Sequence, residues 1–239
     1  MTTPSSSLGI TVAVMNYNEA PSLERVVTEI REELERMGNP HEVVIIEDGS
    51  TDGSREIAER LSREHASVRV LQHPVNLGLG AVYHDGFFCG EKDLVTLFPA
   101  DGQFEPSIIP QFVRLFDHAD LVLGVIPEYN KSRSAFARFL SWGERLIYKI
   151  LFGGFPEFQG IMMLRRSLLD SIQLTSTGRG WTIQMEVILR FRDKGYRIVN
   201  EPTTIRPRMS GESKVSNLKA ILSNLRQVFA LRLQLWRGK

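Results

Sequence analysis

The stretch FPADGQF, Phe98 to Phe104, places one carboxylate, Asp101, and one amide, Gln103, directly after the apolar run DLVTLF. Oxygen ligands of this kind suit a hard cation such as Mg²⁺ or Mn²⁺, and a cation held there would neutralise phosphates. Asp101-Gly102 is equally a good turn sequence. Two more acidic loops follow apolar runs in the same manner. NYNE, with Glu19, follows ITVAVM, and EDGSTDGS, with Asp48 and Asp52, follows VVII. Their carboxylates could hydrogen-bond ribose or base edges. Asp48-Gly49 and Asp52-Gly53 also read as turns, and Asp52 as the cap of the helix after it. NLGLG lacks the dinucleotide glycine spacing at Gly78 and Gly80, so it reads as close helix packing.

These loops need a scaffold that brings them to one place. Ile10 to Met15, Val43 to Ile46, Val68 to Leu71, Leu94 to Phe98 and Leu121 to Val125 are short continuous apolar runs, the pattern of buried strands. Between them lie amphipathic helices. The first shows Leu23, Val26, Val27, Ile30, Leu34 and Met37 at helical spacing, with Pro21 near its start and Gly38 past its end. Others are predicted over Ser54 to His65, from NLGLG through Gly90, and from about Pro106 to Phe116. The alternation predicts an α/β fold, a mostly parallel central sheet flanked by helices. Ligands of such sheets bind at the carboxyl ends of the strands, where NYNE, EDGSTD and PADGQ all fall. In the second half, Arg133 to Phe152 reads as helical, Gln159 to Arg166 as a strand, WTIQMEVILRFRDKG as a helix ending at Gly195, YRIVNEPTTIRPR as extended, and Ser216 to Trp236 as a helical tail.

The 239 residues, 42% hydrophobic, suit one large domain with a short appendage. Charge divides at that boundary. The formal net charge is +1, but Glu212 to Lys239 carries six basic residues and one acid. The boundaries read as a domain over 1–211 and a basic amphipathic tail helix over 212–239, near an anionic surface. Nothing global points to nucleic acid. A single cysteine, Cys89, excludes an internal disulfide or a Cys-based metal site and suits the cytoplasm. The polar start is not followed by a signal sequence, and no apolar run reaches the roughly 20 residues of a spanning helix.

VAVMNYNEA, IIEDGSTDGS, NLGLGAV and FPADGQ, in this order and at these strand ends, resemble the family 2 glycosyltransferases of GT-A fold. They are most similar to the enzymes of the dolichol-phosphate mannosyltransferase type, which move a sugar from a nucleotide donor to a polyprenyl phosphate. The resemblance covers roughly residues 9 to 215. It implies that Tyr17 and Glu19 line the nucleoside pocket, that Asp48 contacts base or ribose, and that Asp101 and Gln103 hold a divalent metal against the diphosphate. Pro99 stands where the family usually has a further acid, so one carboxylate ligand is missing. In the second half, EPTTIRPRMSGESK matches the late family segment with Arg208, Gly211, Ser213 and Lys214, whose positive groups would stabilise the departing nucleoside diphosphate. Lys131, Arg133, Arg138 and Ser141 fall where the family holds the acceptor phosphate, although the earlier family Arg is Ile126 here. Glu186 could face the site, as the family's acid on that helix does, or pair with Arg190 one turn on.

The resemblance implies an inverting, metal-dependent hexosyltransferase using GDP-mannose or a UDP-sugar and a dolichyl or undecaprenyl phosphate. Asp101, Arg138, Arg208 and Lys214 would be its catalytic residues. A lipid monophosphate is largely anionic at neutral pH, its second pKa being about 6 by analogy with phosphoserine, so its oxygen needs little help from a base. A sugar hydroxyl acceptor would need a general base, and only Glu157 or Glu186 presents itself. A saccharide acceptor, or a non-catalytic nucleotide-sugar binding protein, are the alternatives. The tail carries Leu218, Ile221, Leu222, Leu225, Val228, Phe229, Leu233 and Trp236 as a broad stripe with Lys and Arg opposite. It fits a helix at the cytoplasmic membrane face, or one docked on protein, a membrane partner included.

Overall fold

The computed structural model describes residues 5–127, 143, 146–176, 180, 182–207 and 218–237. Its strands are β1 (Ile10–Asn16), β2 (His41–Glu47), β3 (Val68–Gln72), β4 (Leu94–Pro99), β5 (Leu121–Val125), β6 (Met162–Arg165) and β7 (Ile198–Pro202). They form one sheet in the order β3-β2-β1-β4-β6-β5-β7. All pairings are parallel except those of β6, which runs antiparallel between β4 and β5.

The helices are α1 (Ala20–Met37), α2 (Ser54–Glu64), α3 (Leu79–Phe88), α4 (Ile108–Val113), α5 (146–152), α6 (Thr182–Asp193) and α7 (Leu218–Arg237). Side chains alternate across each strand, so β1 sends Val12 and Val14 to one face and Ala13 to the other. On the first face, Leu23, Val27, Ile30 and Leu34 of α1, Leu61 of α2 and Phe112 of α4 close over the sheet. On the second, Val82 and Phe87 of α3 and Ile183, Val187 and Phe191 of α6 do so. Burial on both faces is why these strands read as unbroken apolar runs. Gly38 ends α1 as its position predicts, its N–H returning to the carbonyls of Leu34 and Glu35, both at 3.2 Å.

The helix expected over Pro106 to Phe116 is shorter than its sequence pattern. It runs as α4 and then tightens into a 3₁₀ turn over Arg114–Asp117. The expected tail helix is α7, which is not a free appendage. Val228 and Leu231 pack with Phe152, Met185 and Leu189, behind α6. The boundary at 211–212 lies outside the described residues. Among the described residues, no helix is long and apolar enough to cross a membrane.

Candidate active site

The carboxyl ends of β1, β2 and β4 lie side by side. Met15 pairs in register with Ile46 and Pro99, and Asn16 with Glu47. Two backbone bonds extend that alignment into the loops: the Asp48 N–H donates to the Asn16 carbonyl at 2.9 Å, and the Ala100 N–H to the Met15 carbonyl at 3.0 Å. Tyr17, Glu19, Asp48, Asp101 and Gln103 therefore occupy neighbouring turns at one end of the sheet.

The NYNE and EDGSTDGS loops are laced together. Asn18, at φ 54°, accepts the Thr51 N–H through Oδ1 at 2.8 Å and donates its own N–H to Ser50 Oγ at 3.0 Å. The left-handed backbone suits asparagine better than most other side chains. Asp52 accepts the Ser54 N–H at 3.0 Å and the Ala20 N–H at 2.9 Å, so from just ahead of the N-cap Gly53 it satisfies the first N–H of both α2 and α1. Burial alone would raise its pKa, but the bonds from Ser54 and Ala20 outweigh that and hold the carboxyl below its ordinary range. Tyr17 is left 36% exposed above this lacing, with the half-buried Glu19 beside it.

Asp48 sits deeper, 2% exposed, at the end of β2. Its Oδ1 accepts from the Leu77 N–H at 2.8 Å and lies 2.7 Å from His73 Nδ1. Its Oδ2 accepts from Asn76 Nδ2 at 2.9 Å and the Gly78 N–H at 3.0 Å. The carboxylate is thus surrounded by four donors of its own chain and fastens the 76–78 loop to the strand end. Gly49 makes this approach possible. It has φ 70°, and a Cβ there would lie 2.4 Å from the Val75 carbonyl carbon.

Asp101 is 5% exposed and opens the turn after β4, with Gly102 at φ 73° behind it. Its Oδ1 accepts the Gln103 N–H at 3.0 Å. Two elements brace this turn. From α1, Ser22 Oγ donates to the Ala100 carbonyl at 2.6 Å. From beyond β7, the Arg206 N–H donates to the Gln103 carbonyl at 2.7 Å, next to an antiparallel bridge between Phe104 and Ile205. Arg206 also reaches Glu105 at 2.7 Å and Glu29 at 3.0 Å, which anchors the chain just before Arg208. A further neighbour escaped the sequence reading: Tyr83 of α3, 6% exposed, lies close enough to Gln184 of α6 and to Asp101 for both to act on its phenol. Burial drives the phenol's pKa strongly upward, so Tyr83 stays a neutral hydrogen-bonding group. In sequence it is indistinguishable from another core aromatic of α3.

The oxygen donors of Asp101 and Gln103 suit a hard cation. No group of three or more His, Cys, Asp or Glu that could hold a metal occurs among the described residues. Glu186, fully buried on α6, accepts from the N–H groups of Thr175 (2.9 Å) and Ser176 (2.7 Å), Thr175 Oγ1 (2.8 Å) and Arg190 Nε (2.8 Å). Of the two readings of Glu186, the structure realises the pairing with Arg190. Glu157 is exposed. Lys131, Arg133, Arg138, Ser141, Arg208 and Lys214 lie outside the described residues.

The model of the family described as glycosyl transferase family 2 matches residues 11–173, which include the carboxyl ends of β1, β2 and β4. The chain is 26% identical over 240 residues to a dolichol-phosphate mannosyltransferase of Pyrococcus furiosus, covering 96% of this chain and 65% of that protein. It thus spans about two-thirds of that relative's length. It is 29% identical to an undecaprenyl-phosphate mannosyltransferase of Micrococcus luteus, covering 85% of this chain and 86% of the relative. Among solved structures, a mannosyltransferase from Pyrobaculum calidifontis in complex with GDP-mannose and Mn²⁺ superposes with a TM-score of 0.68 at 20% identity, over 98% of this chain and 67% of that one. A mannosyl-3-phosphoglycerate synthase from Rubrobacter xylanophilus gives 0.70 at 17%, over 96% and 75%. These likenesses carry the fold, a GT-A α/β sheet, and the match over most of the sequence carries the family: the chain belongs to glycosyl transferase family 2.

Proposed function

We propose that this protein transfers a hexose from a nucleotide-diphosphate sugar, GDP-mannose or a UDP-sugar, to a polyprenyl phosphate, with inversion at the anomeric carbon. The names of the relatives support the lipid phosphate acceptor. The observation that carries the reading furthest is the state of Glu186. A hydroxyl acceptor needs a base, and this buried carboxylate is already committed to Thr175, Ser176 and Arg190. An anionic phosphate oxygen needs none. Tyr17 and Glu19 would then receive the nucleoside, with Asp48 holding the wall beside it. Asp101 and Gln103 would hold Mg²⁺ or Mn²⁺, which when bound supplies charge neutralisation to the diphosphate. Arg208 and Lys214 would stabilise the leaving group, and Lys131, Arg133, Arg138 and Ser141 the acceptor phosphate.

The catalytic unit would occupy 1–211 and the tail 212–239. On α7, Phe229, Leu233 and Trp236 are 50%, 54% and 69% exposed on the side away from Val228 and Leu231. With Arg226 and Arg232 beside them, they suit the interface of an anionic membrane, which would bring the lipid acceptor to a peripheral enzyme on the cytoplasmic face.

The test is thermal unfolding with GDP, UDP and their sugar conjugates, with and without Mn²⁺. A ligand at a hundred times its Kd stabilises by about 2.7 kcal/mol, a rise of about 5–10 °C for a chain of this size. One diphosphate should shift the protein only with metal, and Asp101→Asn should abolish the shift. Turnover should require polyprenyl phosphate. Equal turnover with a saccharide alone would overturn the acceptor, and no shift with any nucleotide would overturn the donor site.

A further inference from the structure

His73 is 5% exposed and lies directly after β3, between two carboxylates from different elements. Its Nδ1 is 2.7 Å from Asp48 Oδ1 at the end of β2, and its Nε2 is 2.8 Å from Asp85 Oδ2 on α3. A neutral imidazole has a single N–H. It can satisfy one of these carboxylates, while its other nitrogen would turn a lone pair toward the second. The imidazolium satisfies both short contacts at once, one N–H donating to each carboxylate.

Among the described residues, Glu47, Arg55 and His84 are further titratable groups bonded to this cluster. Arg55 Nη2 donates to the His73 carbonyl at 3.2 Å and also reaches Glu47 Oε2 at 3.2 Å. His84 Nδ1 is 3.2 Å from the other oxygen of Asp85. Arg55 and His84 therefore meet the backbone and the far side of Asp85, and the ring itself faces the two aspartates. Burial disfavours the imidazolium, but the bonds to Asp48 and Asp85 outweigh it and raise the pKa above the ordinary value near 6.5.

The bridge joins the two ends of the candidate donor site. Through Asp48 it fixes the 76–78 loop on the strand carrying the nucleoside turn. Through Asp85 it fixes α3, which two residues earlier carries Tyr83, a buried phenol near enough to Asp101 to feel its charge. We propose that His73 is a positioning residue of the donor site, whose doubly bonded ring holds the 76–78 loop and α3 in register, so that nucleoside diphosphate binding weakens when the ring loses a proton. This inference rests on the donor-site reading above.

Because the folded pKa is raised, the contribution of the bridge is fully present below the ordinary histidine value and is lost as pH rises through the folded one. Asp85, with a side chain 32% exposed, is the arm that gives way, since water can replace its bond. Asp48 keeps its three other donors.

The test is calorimetric titration of the full chain with GDP and with UDP, each with Mn²⁺, between about pH 6 and pH 8.5, with the His73 ring followed by NMR. Wild-type affinity should fall about tenfold across that range, the scale of one charge-assisted hydrogen bond. His73→Gln should bind weakly with a flat profile. Asp85→Asn, which keeps an acceptor but removes the charge that favours imidazolium, should move the fall to lower pH. A purely structural role would not move that midpoint. A flat wild-type profile, or an Asp85→Asn profile superimposed on it, overturns the latch while leaving the donor site standing. If neither diphosphate binds at any pH, the donor reading fails and this one with it. A His73 ring titrating at its ordinary value overturns the bridge whatever the binding shows.

Discussion

Replacing Glu186 by Gln separates a catalytic base from a structural anchor. The fully buried carboxylate has Oε1 engaged by Thr175 Oγ1 and Arg190, Oε2 by the Ser176 N–H, and both oxygens within 3.0 Å of the Thr175 nitrogen. Glutamine is nearly isosteric but has one acceptor oxygen. If the oxygen keeps Arg190 and Thr175, the amide nitrogen meets the Ser176 N–H donor to donor. One buried N–H left unpaired costs ~1–3 kcal/mol, and turning a charged Arg190 bond into a neutral one costs ~1 kcal/mol more. The expected loss is therefore about 2–4 kcal/mol of stability, overlapping the lower part of the ~3–5 kcal/mol for breaking a fully buried pair, as suits an Arg190 side chain that is 21% exposed.

The assay is urea unfolding beside initial rates at a temperature where the variant is folded. Glu186→Gln should lower the unfolding midpoint by that amount while the folded fraction keeps kcat within a few-fold. Acid should erase the difference. Burial pushes the Glu186 pKa up, but the bonds from Ser176, Arg190 and Thr175 outweigh it and lower the pKa overall. Its contribution is therefore present above the unfolded pKa and lost as pH falls through the folded one. A variant with wild-type stability and kcat reduced by ~10²–10⁴, the range for a lost general base, would refute the anchor and restore a hydroxyl acceptor.

Tyr83→Phe keeps the ring that packs near Phe87, centroids 6.1 Å apart, and removes the hydroxyl. It should raise the Mn²⁺ concentration needed for half-maximal GDP or UDP binding several-fold with Tm changed by a few degrees, read by calorimetry; unchanged binding would remove Tyr83 from the site. On α7, Phe229→Ser, Leu233→Ser and Trp236→Ser together should leave Tm nearly unchanged, because these side chains are exposed, and reduce pelleting with anionic vesicles about tenfold or more. Equal pelleting would remove the interfacial reading. Truncation after Gly211 is a poorer test, since it strips Val228 and Leu231 from Phe152, Met185 and Leu189 and so destabilises the fold itself.

What could be read from the sequence follows the range of the interactions. The predicted strand Leu121 to Val125 matches β5, and β1, β2 and β4 begin or end within one or two residues of their apolar runs, because burial on both faces writes itself into consecutive residues. The bond of Asp52 to the start of α2 was legible because its partner Ser54 is two positions away, although the N-cap itself is Gly53, whereas its second bond, to Ala20, was not. The antiparallel β6 has an apolar run like its neighbours, and only long-range pairing with Thr96 and Val122 puts it between β4 and β5.

Asp48 is the sharper case. A carboxylate at a strand end reads as a ligand for ribose or, with Gly49 after it, as a turn, and nothing within ten residues names its partners. Its donors, His73, Asn76, Leu77 and Gly78, arrive from 25 to 30 positions downstream. Its four donors from its own chain tie the 76–78 loop to the end of β2, a structural task that the sequence does not announce. The α7 stripe shows the converse. Its apolar residues cover more of the helix than one packing contact can bury, so Val228 and Leu231 go inward while Phe229, Leu233 and Trp236 remain outside, and the surplus that was visible in the sequence is what calls for a second surface.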